Sequence, residues 1–215
     1  MKTKIKYFLS NQYGLFHHFD LIRRLPECFS WIRNGSCRMP PPPIKRYVIT
    51  SYLKQFKLKS FVETGTYLGD TLALVSQNGK IRCVSIELDD TLYTNAQRRF
   101  SGYNNVQLLH GDSGILISKV ISELREPSLF WLDGHYSGGH TAKGNLETPI
   151  VSELKAIFNS HVKGHVILID DVRCFDGSHD YPSLIQLLDL ISTNGHYRIE
   201  ISADILRLTP KLNTV

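Results

Sequence analysis

Six carboxylates stand where apolar runs end. Lys59 to Glu63, Arg82 to Glu87, Val106 to Leu109, Leu129 to Asp133 and His165 to Asp170 read as β-rich segments, and Glu63, Glu87, Asp112, Asp133, Asp170 and Asp171 close them or follow closely. A carboxylate taken out of water costs free energy unless it is paired, so this placement points to a binding site rather than to stability. Glycines accompany the first carboxylate. Glu63-Thr64-Gly65-Thr66-Tyr67-Leu68-Gly69 reads as a strand end, a tight turn and the start of a helix that Asp70 or Thr71 can cap. Asp133, Asp170 and Asp171 offer hard oxygen donors of the kind a magnesium-like divalent cation takes.

The elements that position these residues follow from hydrophobic patterning. Val166-Ile167-Leu168-Ile169 is apolar at consecutive positions, as in parallel strands covered by helices on both faces. Helical patterns separate the first five strands. Tyr197 to Ser202 and Ile205 to Thr209 are separated only by Ala203-Asp204, too short for a parallel crossover, so they pair as an antiparallel hairpin. The expected fold is α/β: a Rossmann-like, doubly wound sheet of seven strands, mostly parallel with an antiparallel C-terminal hairpin, plus a helical N-terminal extension. Ligands in such sheets sit at the carboxyl ends of the strands, where the carboxylates lie.

Residues 15 to 33 carry apolar positions at helical spacing (Leu15, Phe16, Phe19, Ile22, Leu25), interrupted by Pro26. Pro40 to Pro43 predict extended polyproline and a domain boundary. We therefore divide the chain into an N-terminal helical extension with a polyproline linker (1–43) and a cofactor-binding domain (44–215).

Composition narrows the function classes. The chain has 215 residues, 42% of them hydrophobic and 21% charged, which suffices for one sizeable core. The longest apolar stretches fall far short of a bilayer span, and no signal-peptide core follows Lys2, Lys4 and Lys6, so a soluble, cytoplasmic protein is expected. Cys28, Cys37, Cys83 and Cys174 form no C-x-x-C pair and read as reduced and structural. A net charge of +5 is scattered rather than massed, which argues against a nucleic-acid partner. Arg23, Arg24, Arg33, Arg38, Lys45 and Arg46 form the densest cluster; it suits a solvated face, an anionic acceptor, RNA or peripheral contact with a membrane.

A dinucleotide fingerprint requires glycine where this chain has Tyr67, and the Gly-Lys-Ser/Thr ending of a phosphate loop is absent. Taken alone, the loop could be a helix-packing turn, and Leu109-His110-Gly111-Asp112-Ser113 a turn with a helix cap. In their order and spacing, however, Glu63 to Gly69, Ser85-Ile86-Glu87-Leu88-Asp89, Leu109 to Ser113 and Phe130 to Tyr136 resemble the class I S-adenosylmethionine-dependent methyltransferases over roughly residues 44 to 209. That resemblance implies S-adenosylmethionine as cofactor, held by Glu63, Gly65, Thr66 and Gly69 at its methionine end. Glu87 would lie on the ribose hydroxyls, Asp112 and Ser113 on the adenine, and Asp133 toward the sulfonium.

Phe130-Trp131-Leu132-Asp133-Gly134-His135-Tyr136 and Leu168-Ile169-Asp170-Asp171-Val172 are similar to the metal-dependent O-methyltransferases of the catechol, caffeoyl-CoA and macrocin types. The similarity implies a magnesium ion on Asp133, Asp170 and Asp171; the alternative is that Asp171 caps a turn and Asp133 faces the sulfonium without a metal. The catechol branch has a lysine base where this chain has Tyr136. His135 is the candidate base beside the catalytic Asp133, because imidazole titrates near neutrality, although it could equally bond backbone. Tyr136, His140, Lys143 and Arg173 are candidate substrate contacts, with Asp176 as an alternative partner for Arg173. Leu132 to Gly139, Thr148-Pro149-Ile150 and Ile169 to Phe175 also resemble bacterial methyltransferase-like proteins associated with glycan biosynthesis, which implies a saccharide or small-molecule hydroxyl as acceptor. Two other readings stand beside this one: RNA methylation, and a non-catalytic cofactor-binding protein in a glycan assembly complex.

Overall fold

The computed structural model describes residues 13–36, 39–134 and 148–211. Seven strands run β1 (Ser60–Thr64), β2 (Arg82–Glu87), β3 (Val106–His110), β4 (Leu129–Leu132), β5 (Val166–Ile169), β6 (Tyr197–Ser202) and β7 (Ile205–Pro210). The described helices are α1 (Tyr13–Arg33), α2 (Pro42–Gln55), α3 (Asp70–Ser76), α4 (Asp90–Phe100), α5 (Ser113–Glu123), α6 (Ile150–Phe158) and α7 (Leu184–Asn194). One sheet orders the strands β3-β2-β1-β4-β5-β7-β6. β1 to β5 are parallel, while β7 is antiparallel to both β5 and β6.

Side-chain alternation divides the core into two layers. Val62, Ile86, Phe130, Leu132, Ile167 and Ile169 face one way and pack on α5, α6 and α7 through Ile117, Leu154 and Leu187. Phe61, Cys83, Leu129, Trp131, Val166 and Leu168 face the other way and pack on α2, α3 and α4 through Ile49, Leu72 and Phe100. That two-sided burial is why the parallel strands are apolar at consecutive positions. At the hairpin, Ala203 and Asp204 both take positive φ (54° and 58°), as the tight turns that match strand twist require.

Three local expectations are corrected. Helix α1 runs through Pro26 instead of breaking there. The ring forfeits one bond, to the carbonyl of Ile22, and that residue is 64% exposed, so water reaches the region. The polyproline run is extended only to Pro41 (φ −58°, ψ 147°); Pro42 and Pro43 already form the first turn of α2. A proline's missing N–H costs nothing there, since first-turn donors have no intrahelical partner. Finally, α3 is capped neither by Asp70 nor by Thr71: Gly69 is the N-cap, with φ 74°.

Cys28, Cys83 and Cys174 are free thiols; Cys37 lies outside the described residues. Among the described residues no helix is long and apolar enough to cross a membrane.

Candidate functional site

Strand order places the site. Crossovers leave β1 in opposite directions, toward β2 and β3 on one side and β4 and β5 on the other, so a crevice opens at the carboxyl ends of β1 and β4. Register then aligns the strand ends. Thr64 lies opposite both Ile86 and Leu132, Leu132 opposite Ile169, and Glu87 opposite His110. One residue further along, Gly65, Glu87, Asp133 and Asp170 therefore form a row.

The loop after β1 needs its glycines. Gly65 has φ 82°, and a Cβ there would stand 2.6 Å from the carbonyl oxygen of Asp133. Gly69 has φ 74°, and a Cβ would stand 2.8 Å from the Phe100 ring. Tyr67 also takes positive φ (49°) although it is bulky, a conformation that costs on the order of 1 to 3 kcal/mol. Its N–H donates to Glu87 Oε2 at 2.7 Å, which ties the strained turn to β2. The position that would be glycine in a dinucleotide fingerprint is thus left-handed here as well, but carries a side chain that is 55% exposed.

Glu63 is 1% exposed and accepts from Ser85 Oγ at 2.8 Å; Ser85 in turn lies 2.6 Å from Thr66 Oγ1. Because Ser85 donates to the carboxylate, Thr66 donates to Ser85, and its hydroxyl points into the fold. Among the described residues, Glu63 Oε2 is buried with no hydrogen-bond partner. Burial pushes the Glu63 carboxyl up to about 8; Ser85 pulls against that, and the negative charges of Asp133 and Glu87 add to it. Glu87 accepts from two backbone donors, Tyr67 N–H and Asp89 N–H (3.0 Å), and each oxygen keeps a second lone pair for a hydroxyl ligand.

Asp112 is the N-cap of α5, its Oδ1 accepting from Gly114 N–H at 2.8 Å, so the cap role is present and uses one of its two oxygens. Ser113 donates through Oγ to Glu153 at 2.7 Å, deep in the fold. That engages the hydroxyl proton; the group expected on the adenine is the Ser113 backbone N–H, which this bond does not use.

The β4–β5 rim is different. One ligand oxygen each from Asp133, Asp170 and Asp171 lies within 4.8 Å of the others, the triad expected from the sequence. Asp133 is held by its N–H on the Thr64 carbonyl (3.2 Å) and Asp170 by its N–H on the Leu132 carbonyl (3.1 Å). Asp171 turns the chain with φ 54°, a conformation aspartate tolerates, and starts a single 3-10 turn, yet its side chain caps nothing. A small cleft lined by Leu132, Gly134, Thr148, Glu153, Asp170 and Tyr181 lies alongside.

Among the described residues, two cations sit on this rim. Lys45 Nζ is 2.6 Å from Asp170 Oδ2 and 2.8 Å from Asp171 Oδ1. Arg173 pairs with Asp171 at 2.7 Å and with Asp204, not with Asp176. Burial alone would depress the Lys45 ammonium, but Asp170 and Asp171 outweigh it and raise its pKa, so Lys45 is a cation and not a base. Burial raises Asp170 in spite of Lys45. A contact of 2.6 Å to an ammonium fits the ionised carboxylate, so the pair is charged.

His135, Tyr136, His140 and Lys143 lie outside the described residues. The sequence reading missed Ser85, Glu153 and the role of Lys45. Ser85 was the findable one: it is the polar residue in the apolar run Cys83-Val84-Ser85-Ile86, on the same face as Glu87.

No family model matches the chain, and no curated protein is similar to it in sequence. Solved structures do share the fold. The O-methyltransferase TomG of Streptomyces achromogenes, involved in tomaymycin synthesis and bound to S-adenosylmethionine, superposes with a TM-score of 0.59 at 12% identity, over 86% of this chain and 87% of that one. An O-methyltransferase of Bacillus cereus bound to S-adenosylhomocysteine gives 0.60 at 13% identity, over 87% and 90%. A Podospora anserina methyltransferase bound to S-adenosylhomocysteine gives 0.55 at 16%, over 87% and 88%. The chain has the class I methyltransferase fold.

Proposed function

We propose that this chain is an O-methyltransferase that moves the methyl group of S-adenosylmethionine to a hydroxyl of a small molecule or saccharide, assisted by a divalent cation. The observation that carries the proposal is the convergence of Asp133, Asp170 and Asp171 within 4.8 Å of one another, at the end of β4 that also packs on the Gly65 turn. A glycine turn beside an acidic rim puts a donor pocket and an acceptor pocket next to each other.

S-adenosylmethionine supplies a methyl carbon on a positively charged sulfur. The buried oxygen of Glu63 that has no partner among the described residues suits a cationic or hydrogen-donating group, and the two-oxygen face of Glu87 suits a pair of hydroxyls. Gly65, Gly69 and the Tyr67 N–H hold the turn against both. The three hard carboxylates fit magnesium, which supplies Lewis-acid polarisation of an acceptor hydroxyl.

In the transfer, the acceptor oxygen forms a bond to the methyl carbon, the sulfur–carbon bond breaks, and its electron pair stays on sulfur to give neutral S-adenosylhomocysteine. The hydroxyl proton leaves to a base, for which we assign His135, one residue beyond Gly134. Asp133 orients the acceptor at the seam of the two pockets.

The test is release of S-adenosylhomocysteine from labelled cofactor with a library of hydroxylated acceptors, for wild type and Asp133→Ala. Turnover in the variant should fall by about 100-fold or more, a typical effect of removing a group that stabilises the transition state, while cofactor affinity stays within about tenfold (~1.4 kcal/mol). Wild-type turnover in Asp133→Ala would remove the assignment.

A further inference from the structure

Lys45 engages two of the three carboxylates that the metal reading needs. It reaches the rim from the first turns of α2, and its ammonium bridges Asp170 Oδ2 and Asp171 Oδ1 at 2.6 and 2.8 Å. A divalent ion held by those same two oxygens would compete with the ammonium for their lone pairs and for the space beside them. Arg173 is not an equivalent occupant. Its guanidinium also grips Asp204, whose other oxygen accepts from the Arg173 N–H at 2.9 Å, and it is anchored to that turn.

The backbone under Lys45 is fixed. The neighbouring Arg46 is 4% exposed and pairs with Asp20 of α1 at 2.8 Å, and Ile49 in the same helix is fully buried. Helix α2 therefore stays in place while the four-carbon stem of Lys45, itself only 17% exposed, is the part that can swing.

We propose that Lys45 is the resident counter-cation of the carboxylate rim, that a divalent ion binds only by displacing its ammonium, and that Lys45 thereby sets the ion affinity of the site. This inference rests on the metal-assisted reading of the rim. Binding is then an exchange of one cation for another, so the released ammonium is exposed in proportion to the ion bound.

Two measurements on the full chain test it. Manganese binding is followed by the electron paramagnetic resonance of the free ion, for wild type, Lys45→Met and Lys45→Arg. Methionine keeps an apolar stem without the charge, and binding should tighten at least about tenfold (1.4 kcal/mol); arginine keeps a cation and should stay near wild type. In parallel, labelling of Lys45 by an amine-reactive reagent, read by peptide mass spectrometry on wild type, should accelerate when manganese saturates the rim. Equal or weaker manganese binding by Lys45→Met, or an unchanged labelling rate at saturation, overturns the inference and leaves the metal reading intact. No binding by any of the three proteins at millimolar manganese removes the metal reading and the inference with it. The labelling arm needs no variant, so it decides the matter even if Lys45→Met fails to fold.

Discussion

The two halves of the crevice keep carboxylates in the protein interior by opposite means. On the β1–β2–β3 side, Glu63 and Glu87 meet hydroxyls and backbone N–H groups, and burial with the nearby negative charges pushes Glu63 up to about 8. On the β4–β5 side, Asp170 and Asp171 meet full charges, Lys45 and Arg173. Dipoles leave a carboxylate's remaining lone pairs free for hydroxyls or for a cationic ligand. A counter-ion can be exchanged for another ion. The first arrangement suits a cofactor that brings its own positive charge and its own hydroxyls, and the second suits a site whose occupant is a cation.

The sharpest way to break this division is at the point where the halves touch. Gly65→Ala puts a Cβ 2.6 Å from the Asp133 carbonyl at a φ of 82°, so either the turn or the end of β4 must move. A loss of about 3 kcal/mol or more in urea unfolding is expected, from backbone strain and the clash together. Both cofactor binding and manganese binding should weaken in the folded fraction. A variant that loses only one of them would show that the halves are independent.

The next effect concerns Glu63 alone. Its carboxyl titrates near 4.5 in the unfolded chain and at about 8 in the fold. Below pH 4.5 both states are protonated and nothing is lost; between 4.5 and 8 the unfolded state releases its proton while the folded state holds it, so stability falls as pH rises. Glu63→Gln mimics the protonated form. Its stability should match wild type near pH 4 and exceed it by a few kcal/mol at pH 8, accumulating at up to about 1.4 kcal/mol per pH unit. Saturation with S-adenosylmethionine should shrink that gap, because a cationic ligand favours the ionised carboxylate. Parallel unfolding curves for the two proteins across this window would remove the claim that Glu63 is held neutral.

Much of this contrast was readable in the amino-acid sequence, but unevenly. The central strands β1, β4 and β5 were visible because they are buried on both faces, which makes a short run such as Val166 to Ile169 apolar at every position, whereas β6 is exposed and was legible only from its two-residue link to β7. The carboxylates that close the strands were visible because charge is rare at the end of an apolar run. Their partners were not. Lys45 is 125 residues from Asp170, and nothing local distinguishes it from Arg46, whose partner is Asp20 on a different helix. Helix starts misled for a related reason: Gly69 caps α3 because a close approach to Phe100 excludes any side chain, a tertiary constraint that outweighs the local capping preference of Asp70. Asp70 pairs instead with Arg99 at 2.8 Å.

The smallest effect separates two duties of one residue. Asp112 caps α5 through Oδ1, and we propose that its second oxygen accepts from the adenine amine, the part of the cofactor on which the family resemblance puts Asp112. Asp112→Ala removes both and should cost about 1 kcal/mol of stability, the usual value of an N-cap. Asp112→Asn retains the cap, because asparagine's carbonyl oxygen accepts from Gly114 N–H equally well. It also replaces the second oxygen by an NH₂, which faces an amine with donor against donor. If the second oxygen binds the base, Asp112→Asn should unfold like wild type yet bind S-adenosylhomocysteine about tenfold more weakly, a loss of ~1.4 kcal/mol, as read by calorimetry. Wild-type affinity in Asp112→Asn, together with the stability loss in Asp112→Ala, would make Asp112 a helix cap and move recognition of the base to other groups at the end of β3.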